Sequence, residues 1–241
     1  MCTVTYIPQP DGFILTSNRD EKIYRPTLLP DIYSHHHHQM IYPKDQKAGG
    51  TWIAASLDQR FACLLNGAFT AHQKQPHHTK SRGKVLLESF QYTDVTAFAQ
   101  LSDFSAVEPF TLLLFKGKTL YECKWDGKNK FLKKVSNDQP AIWSSSTLYS
   151  EETRNQREQI FYDWLRHYDA PSAHDLFDFH GSKHAMDDEN GILMQRTGGL
   201  QTLSITQIHF KNNSFRMHYQ DLKEVHKNVK VIDSSLLSRC G

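Results

Sequence analysis

The chain has 241 residues, 39% of them hydrophobic and 22% charged, with a formal net charge of +2. These values are ordinary for a globular protein and argue against nonspecific nucleic-acid binding. A domain of this length buries roughly 70% of its unfolded surface, so one domain spanning 1–241 is expected without stabilising staples. The four cysteines, Cys2, Cys63, Cys123 and Cys240, are too sparse and too widely spaced for a disulfide framework or a Cys-x-x-Cys zinc site. Reduced thiols are expected. The apolar run from Phe110 to Phe115 is far short of a membrane span, and no charged segment precedes an apolar one at the amino end, so a cytoplasmic chain without a signal peptide is expected.

Residues 2 to 7 are rich in β-branched and aromatic types, Pro8 to Gly12 form a turn cluster, and Phe13 to Ser17 are apolar again: an opening β-hairpin. Residues 25 to 48 hold prolines and the tract His35 to His38, and read mostly as loop. Gly50 to Ser56 and Arg60 to Asn66 read as a second strand pair, with the polar Asn66 closing an apolar run. Lys84 to Phe90 and Asp94 to Leu101 read as helices, the latter with a Thr93 cap. Three strands follow at Phe110 to Phe115, Thr119 to Trp125 and Phe131 to Val135, then a short one at Ala141 to Trp143. Ser150 caps a helix whose apolar stripe is Ile160, Phe161, Trp164, Leu165 and Tyr168, with Glu151 and Glu152 at its positive end. Ser172 to Phe179 is a further helix, and Thr202 to Phe210 with Ser214 to Tyr219 is the last hairpin, turned by Asn212-Asn213. From Lys223 onward the pattern is ambiguous. Strands and helices come in groups rather than in βαβ alternation, which suits antiparallel sheets with helices packed outside.

Chemistry concentrates at the amino end. Methionine aminopeptidases remove Met1 when the next residue is small, and Cys2 is small. The exposed Cys2 then carries a thiol beside its own α-amine, a nucleophile with a built-in base. Their ordinary pKa values, about 8.5 and about 7.7–8.0, are close enough for a proton to pass between them near neutral pH. The hairpin returns Asn18-Arg19-Asp20-Glu21 toward Cys2. A carboxylate there can hold the α-ammonium, and an arginine can favour the thiolate.

Met1 to Tyr6, Ser17 to Glu21, Arg25-Pro26-Thr27, Gly49 to Ala54, Leu65 to Phe69 and Ser81-Arg82-Gly83 together resemble the NRDE family, also called the transport and Golgi organisation 2 family. The match is dense over residues 1 to 83 and rests on element order beyond. That family is in turn similar to N-terminal-nucleophile hydrolases of the choloylglycine hydrolase and penicillin acylase type. The resemblance implies an α+β fold, a four-layer αββα sandwich of two antiparallel sheets flanked by helices. It implies that Cys2 attacks the carbonyl of a non-peptide amide, with Arg19 and Asp20 as the supporting pair, Glu21 being the alternative amine-binding acid. Asn66 resembles the oxyanion-donating asparagine. Where those hydrolases carry a second asparagine this chain has Ser144-Ser145-Ser146, so Ser145 takes that place as a shorter donor. Arg196 matches a family-type arginine near the nucleophile.

The expected partner is a small-molecule amide, with no nucleic acid and no membrane span. The alternative is a non-catalytic binding or trafficking protein for a hydrophobic ligand such as haem or an acyl lipid. No cofactor and no metal are called for: His35 to His38 cannot all point one way, His72, His77 and His78 lack ligand spacing, and Asp187-Asp188-Glu189 lacks the rest of a calcium loop. Cys63 and Cys123 fall on strands and read as buried and inert, Cys240 as an exposed tail thiol.

Overall fold

A computed structural model describes residues 3–35, 38–223 and 229–236. The chain opens with β1 (Thr3–Gln9), β2 (Gly12–Lys22), β3 (Thr27–His35), β4 (His38–Asp45), β5 (Ile53–Ser56) and β6 (Arg60–Asn66). Two helices, α1 (Arg82–Ser89) and α2 (Val95–Leu101), precede a meander of β7 (Phe110–Lys116), β8 (Thr119–Trp125) and β9 (Lys130–Val135). Then come β10 (Ala141–Ser144), α3 (Glu151–Leu165), α4 (Ala173–His180), β11 (Gln195–Arg196), β12 (Leu200–Lys211), β13 (Ser214–Asp221) and β14 (Val229–Asp233).

The strands form two antiparallel sheets. One runs β10-β1-β2-β12-β13-β14, with β11 paired to β12; the other runs β3 to β9 in chain order. Period-two alternation gives each sheet two buried faces. Val4, Tyr6, Phe13 and Leu15 of the first sheet meet Ile53, Phe61, Cys63 and Phe115 of the second. Phe13 stacks on Phe115 at 4.6 Å and meets Phe61 edge-on at 5.1 Å. The other face of the second sheet packs Ala54, Ala62 and Leu112 against Val85, Leu86 and Phe98 of α1 and α2. The outer face of the first sheet packs Ile7 and Ile14 against Phe161, Leu176 and Phe179 of α3 and α4. The layers are therefore α, β, β, α, as the family resemblance implies.

Local chemistry explains most boundaries. Ser150 accepts from Thr153 N at the start of α3, and Ser172 forms a reciprocal capping box with Asp175 at the start of α4. Asp94, not Thr93, caps α2. Asn212 and Asn213 turn the β12–β13 hairpin at φ of 50° and 60°, values that asparagine tolerates.

Two expectations need correction. Residues 25 to 48 are not mostly loop; they form the β3–β4 hairpin. β3 is an edge strand, and its register shifts between Leu28 and Asp31, so Pro30 sits in an irregularity where no ladder N–H is required. His35 pairs with His38 across this hairpin, while His36 and His37 lie outside the described residues, as does Cys240. Second, the second strand of the opening hairpin does not end at Ser17, before Asn18 to Glu21. They continue β2, which has a second partner in β12 that hydrophobic pattern alone does not reveal. The ambiguous tail contributes β14.

Candidate active site

β1 lies between β2 and β10, and its first residue, Thr3, pairs with Asn18 on one side and Ser144 on the other. Cys2, bonded to Thr3, lies outside the described residues. Along β2, side chains alternate. Asn18 and Asp20 face the helical layer and the chain that follows β10; Arg19 and Glu21 face the other way.

On the first of these faces, Asn18 Nδ2 donates to the carbonyls of His180 at 3.1 Å and Ile192 at 2.9 Å. Asp20 is buried, and its carboxylate accepts from Thr202 Oγ1 at 2.7 Å and Tyr149 Oη at 3.1 Å. The Tyr149 ring has the Arg157 guanidinium 3.8 Å from its centroid and that of Arg196 at 5.3 Å. Arg196 also donates to the carbonyls of Glu189 and Leu148. Arg196 and Asp20 thus share Tyr149 as a neighbour.

On the opposite face, Arg19 is 3% exposed. It stacks 4.8 Å from the Trp52 ring centroid and donates through Nη2 to Asp45 Oδ2 at 2.9 Å. The same Oδ2 accepts from Arg25 Nε at 2.7 Å, and Oδ1 accepts from the backbone of Lys47 and Ala48. Burial alone would raise the Asp45 pKa, but the Ala48 hydrogen bond and the charges of Arg25 and Arg19 outweigh it and hold it below the usual carboxylate range. Glu21 pairs with Arg25 at 3.0 Å. Of the two candidate acids, Asp20 is the enclosed one and Glu21 is spent on a salt bridge.

Asn66 ends β6. Its main-chain oxygen accepts from Ser145 Oγ at 2.8 Å. Its side-chain amide makes no hydrogen bond among the described residues. Gly67 follows at φ +81°, and a Cβ there would stand 2.2 Å from Ser146 Oγ, so glycine is a steric requirement of this corner. Ser145, buried beside it, also shares a hydrogen bond with Thr147 Oγ1 at 2.8 Å.

Arg19, Glu21, Arg25, Trp52, Asn66 and Arg82 line one cavity of about 390 Å³. They come from five of the short motifs that carry the family resemblance, and the fold gathers them. Gly50 and Gly83 allow the closest approach: a Cβ on Gly50 would lie 2.5 Å from Gly83 C, and one on Gly83 would lie 2.7 Å from Thr51 O. The start of α1 is thereby drawn against the start of β5. Cys63 and Cys123 are buried, and burial pushes both thiols up to about 12, so neither is a nucleophile at neutral pH. Among the described residues no group of three or more His, Cys, Asp or Glu is placed to hold a metal. No described helix is long and apolar enough to cross a membrane.

Sequence patterns missed the supports of this site: Asp45, hidden in what reads as a proline-rich loop, and Tyr149, Thr202, Arg157 and His180, which come from distant segments. His180 is fully buried. Asn18 Oδ1 can only accept, so His180 Nδ1–H donates to it at 2.8 Å, and Nε2 accepts from Thr5 Oγ1 at 2.8 Å. Burial, then the charges of Arg157 and His184, lower the His180 pKa to about 3. His184, His209 and His218 are lowered by burial as well. A depressed histidine pKa means the unfolded chain binds the extra proton first. Stability is therefore full above pH ~6.5 and falls as pH drops toward about 3. Urea denaturation at stepped pH is expected to show this loss, approaching about 1.4 kcal/mol per pH unit for each such proton. A flat profile between pH 7 and 4.5 contradicts the buried neutral imidazole.

The fold is that of N-terminal-nucleophile hydrolases. The chain superposes on a mutant of the conjugated bile acid hydrolase from Clostridium perfringens with a TM-score of 0.59 at 7% identity, covering 98% of this chain and 93% of that one. It matches the penicillin V acylase of Agrobacterium tumefaciens with a TM-score of 0.56 at 9% identity, covering 98% and 86%. A Caenorhabditis elegans ortholog of N-acylethanolamine-hydrolyzing acid amidase gives 0.52 at 9%, covering 86% and 92%. At such identities the likeness is one of fold. By sequence, the family model for Transport and Golgi organisation 2 matches residues 1–214, and the chain belongs to that family. No curated protein matches it significantly by sequence.

Proposed function

We propose that this chain is an N-terminal cysteine amidohydrolase acting on a non-peptide amide. The observation that carries the proposal is the meeting of motif residues around the start of β1: Thr3 sits between Asn18 and Ser144, while Arg19 and Asn66 share a cavity. Val4, in β1, faces the space between the sheets. Arg19 faces that same space and Asp20 the helical layer; in this proposal the arginine serves the sulfur and the acid serves the α-ammonium.

In the proposed reaction the α-amine takes the thiol proton and the thiolate attacks the amide carbonyl. The Asn66 amide donates to the oxyanion that forms. Ser145, holding the Asn66 carbonyl, keeps that peptide in place; its own hydroxyl faces Asn66 and Thr147. The protonated amine gives its proton to the leaving nitrogen, the C–N bond breaks, and a Cys2 thioester remains. Water adds to the thioester with the amine as base, releasing acid and free thiol. Tyr149, which meets the Arg157 and Arg196 guanidiniums through its ring, donates the hydrogen bond that orients Asp20.

The alternative, a carrier of a hydrophobic ligand, fits poorly with a cavity walled mainly by charged and polar side chains. Cys2→Ala is the direct test on a panel of acyl amides. Turnover is expected to vanish while the thermal melt stays within a few degrees of wild type. A Cys2→Ala protein that still hydrolyses the same amides rules the mechanism out.

A further inference from the structure

The cavity beside Asn66 is lined by six cationic side chains, Arg19, Arg25, Lys47, Lys74, Lys80 and Arg82, against three carboxylates, Glu21, Asp45 and Glu108. The carboxylates are already engaged: Asp45 by Arg19 and Arg25, Glu21 by Arg25, and Glu108 by Arg82 and His72. Lys80 is neutralised from outside the cavity by Glu88 at 2.6 Å. Lys47 and Lys74, both exposed, form no ion pair among the described residues.

Deeper in, Arg19 Nη1 and Trp52 Nε1 are buried and make no hydrogen bond among the described residues, and both residues line the cavity. A buried charged donor left unmade costs more than a neutral one, so this pair calls for an acceptor. The amino end of α1 adds to the same field. Ser81 caps the helix through Gly83 N, and Arg82 and Gly83 lie on the cavity wall, where the helix dipole favours negative charge.

We infer that the substrate carries an oxyanion group, a phosphate or a carboxylate, which this cavity recognises through Arg19, Trp52 and the start of α1, with Lys47 and Lys74 at its rim. The inference rests on the reading that this cavity is where the substrate amide binds, and it narrows the substrate to an anionic acyl amide. It does not depend on Cys2 being the nucleophile.

Binding is therefore measured without turnover, by calorimetry on Cys2→Ala protein at low and moderate salt, with inorganic pyrophosphate, succinate and a neutral sugar as probes. Pyrophosphate or succinate binding that weakens with salt, and weakens at least tenfold in a Lys47→Glu/Lys74→Glu double variant, supports the inference, and the tighter of the two names the anion. Both lysines are exposed, so the double variant is expected to keep its thermal melt. Failure of both anions to bind, or binding that the double variant leaves unchanged, overturns it. Wild-type hydrolysis of neutral acyl amides alongside absent anion binding would leave the cysteine mechanism standing and remove only the anionic substrate.

Discussion

Asp45→Ala is expected to lower stability by about 3–5 kcal/mol, the usual cost of removing one partner from a buried ion pair. Asp45 is 7% exposed, and one of its oxygens binds Arg19 and Arg25 together. Its other oxygen closes the turn that leads to Gly49 through the Lys47 and Ala48 amides. Alanine strands the Arg19 guanidinium between the sheets with its chief counter-charge gone and opens that turn at the same time. Arg25, a third exposed, can turn to solvent and adds little. Asp45→Asn keeps the acceptor oxygen and the shape and is expected to cost less. Urea midpoints with unchanged slopes check both. An Asp45→Ala loss below about 1 kcal/mol would show that Arg19 finds water, and that the cavity floor is more open than described.

Asn66→Ala is expected to lower kcat by about 10²–10³ with little change in KM, because the lost donor acts on charge that exists only at the transition state. The variant should fold normally, since the Asn66 amide has no partner to lose among the described residues and Gly67 still makes the corner. Asn66→Asp should be at least as slow, as it sets a carboxylate against the developing oxyanion. Parallel falls in 1/KM and kcat, or no fall at all, would assign the oxyanion to another donor.

The sequence carried the layers well, because each layer is written in local chemistry. Ser150 and Ser172 mark helix starts, Asn212-Asn213 marks a hairpin, and the alternating strands around Phe61 and Leu113 mark a sheet buried on both faces. Residues 25 to 48 were misread because proline and histidine content suggests loop, whereas an edge strand with a bulge accommodates Pro30. The motifs were legible as neighbours: Arg19 and Asn66 line one cavity, Ser145 donates to the Asn66 carbonyl, and Asp20 lies on the opposite face of β2. The supports of the site were not. Thr202 reaches Asp20 across the β2–β12 pairing, and Arg157 meets Tyr149 by ring stacking between a helix and the turn before it. A pairing as remote in sequence as Thr202 with Asp20 leaves no periodic trace. Arg196, expected near the nucleophile, lies over the Tyr149 ring.

Intact-mass spectrometry of the purified protein, before and after exposure to an activated acyl thioester, tests the central claim most directly. The account predicts a chain that has lost Met1 and gains one acyl group on its amino-terminal Cys2 peptide, an adduct absent from the Cys2→Ala protein. A chain that retains Met1 and still turns over amides, or an adduct that maps to any other residue, contradicts it.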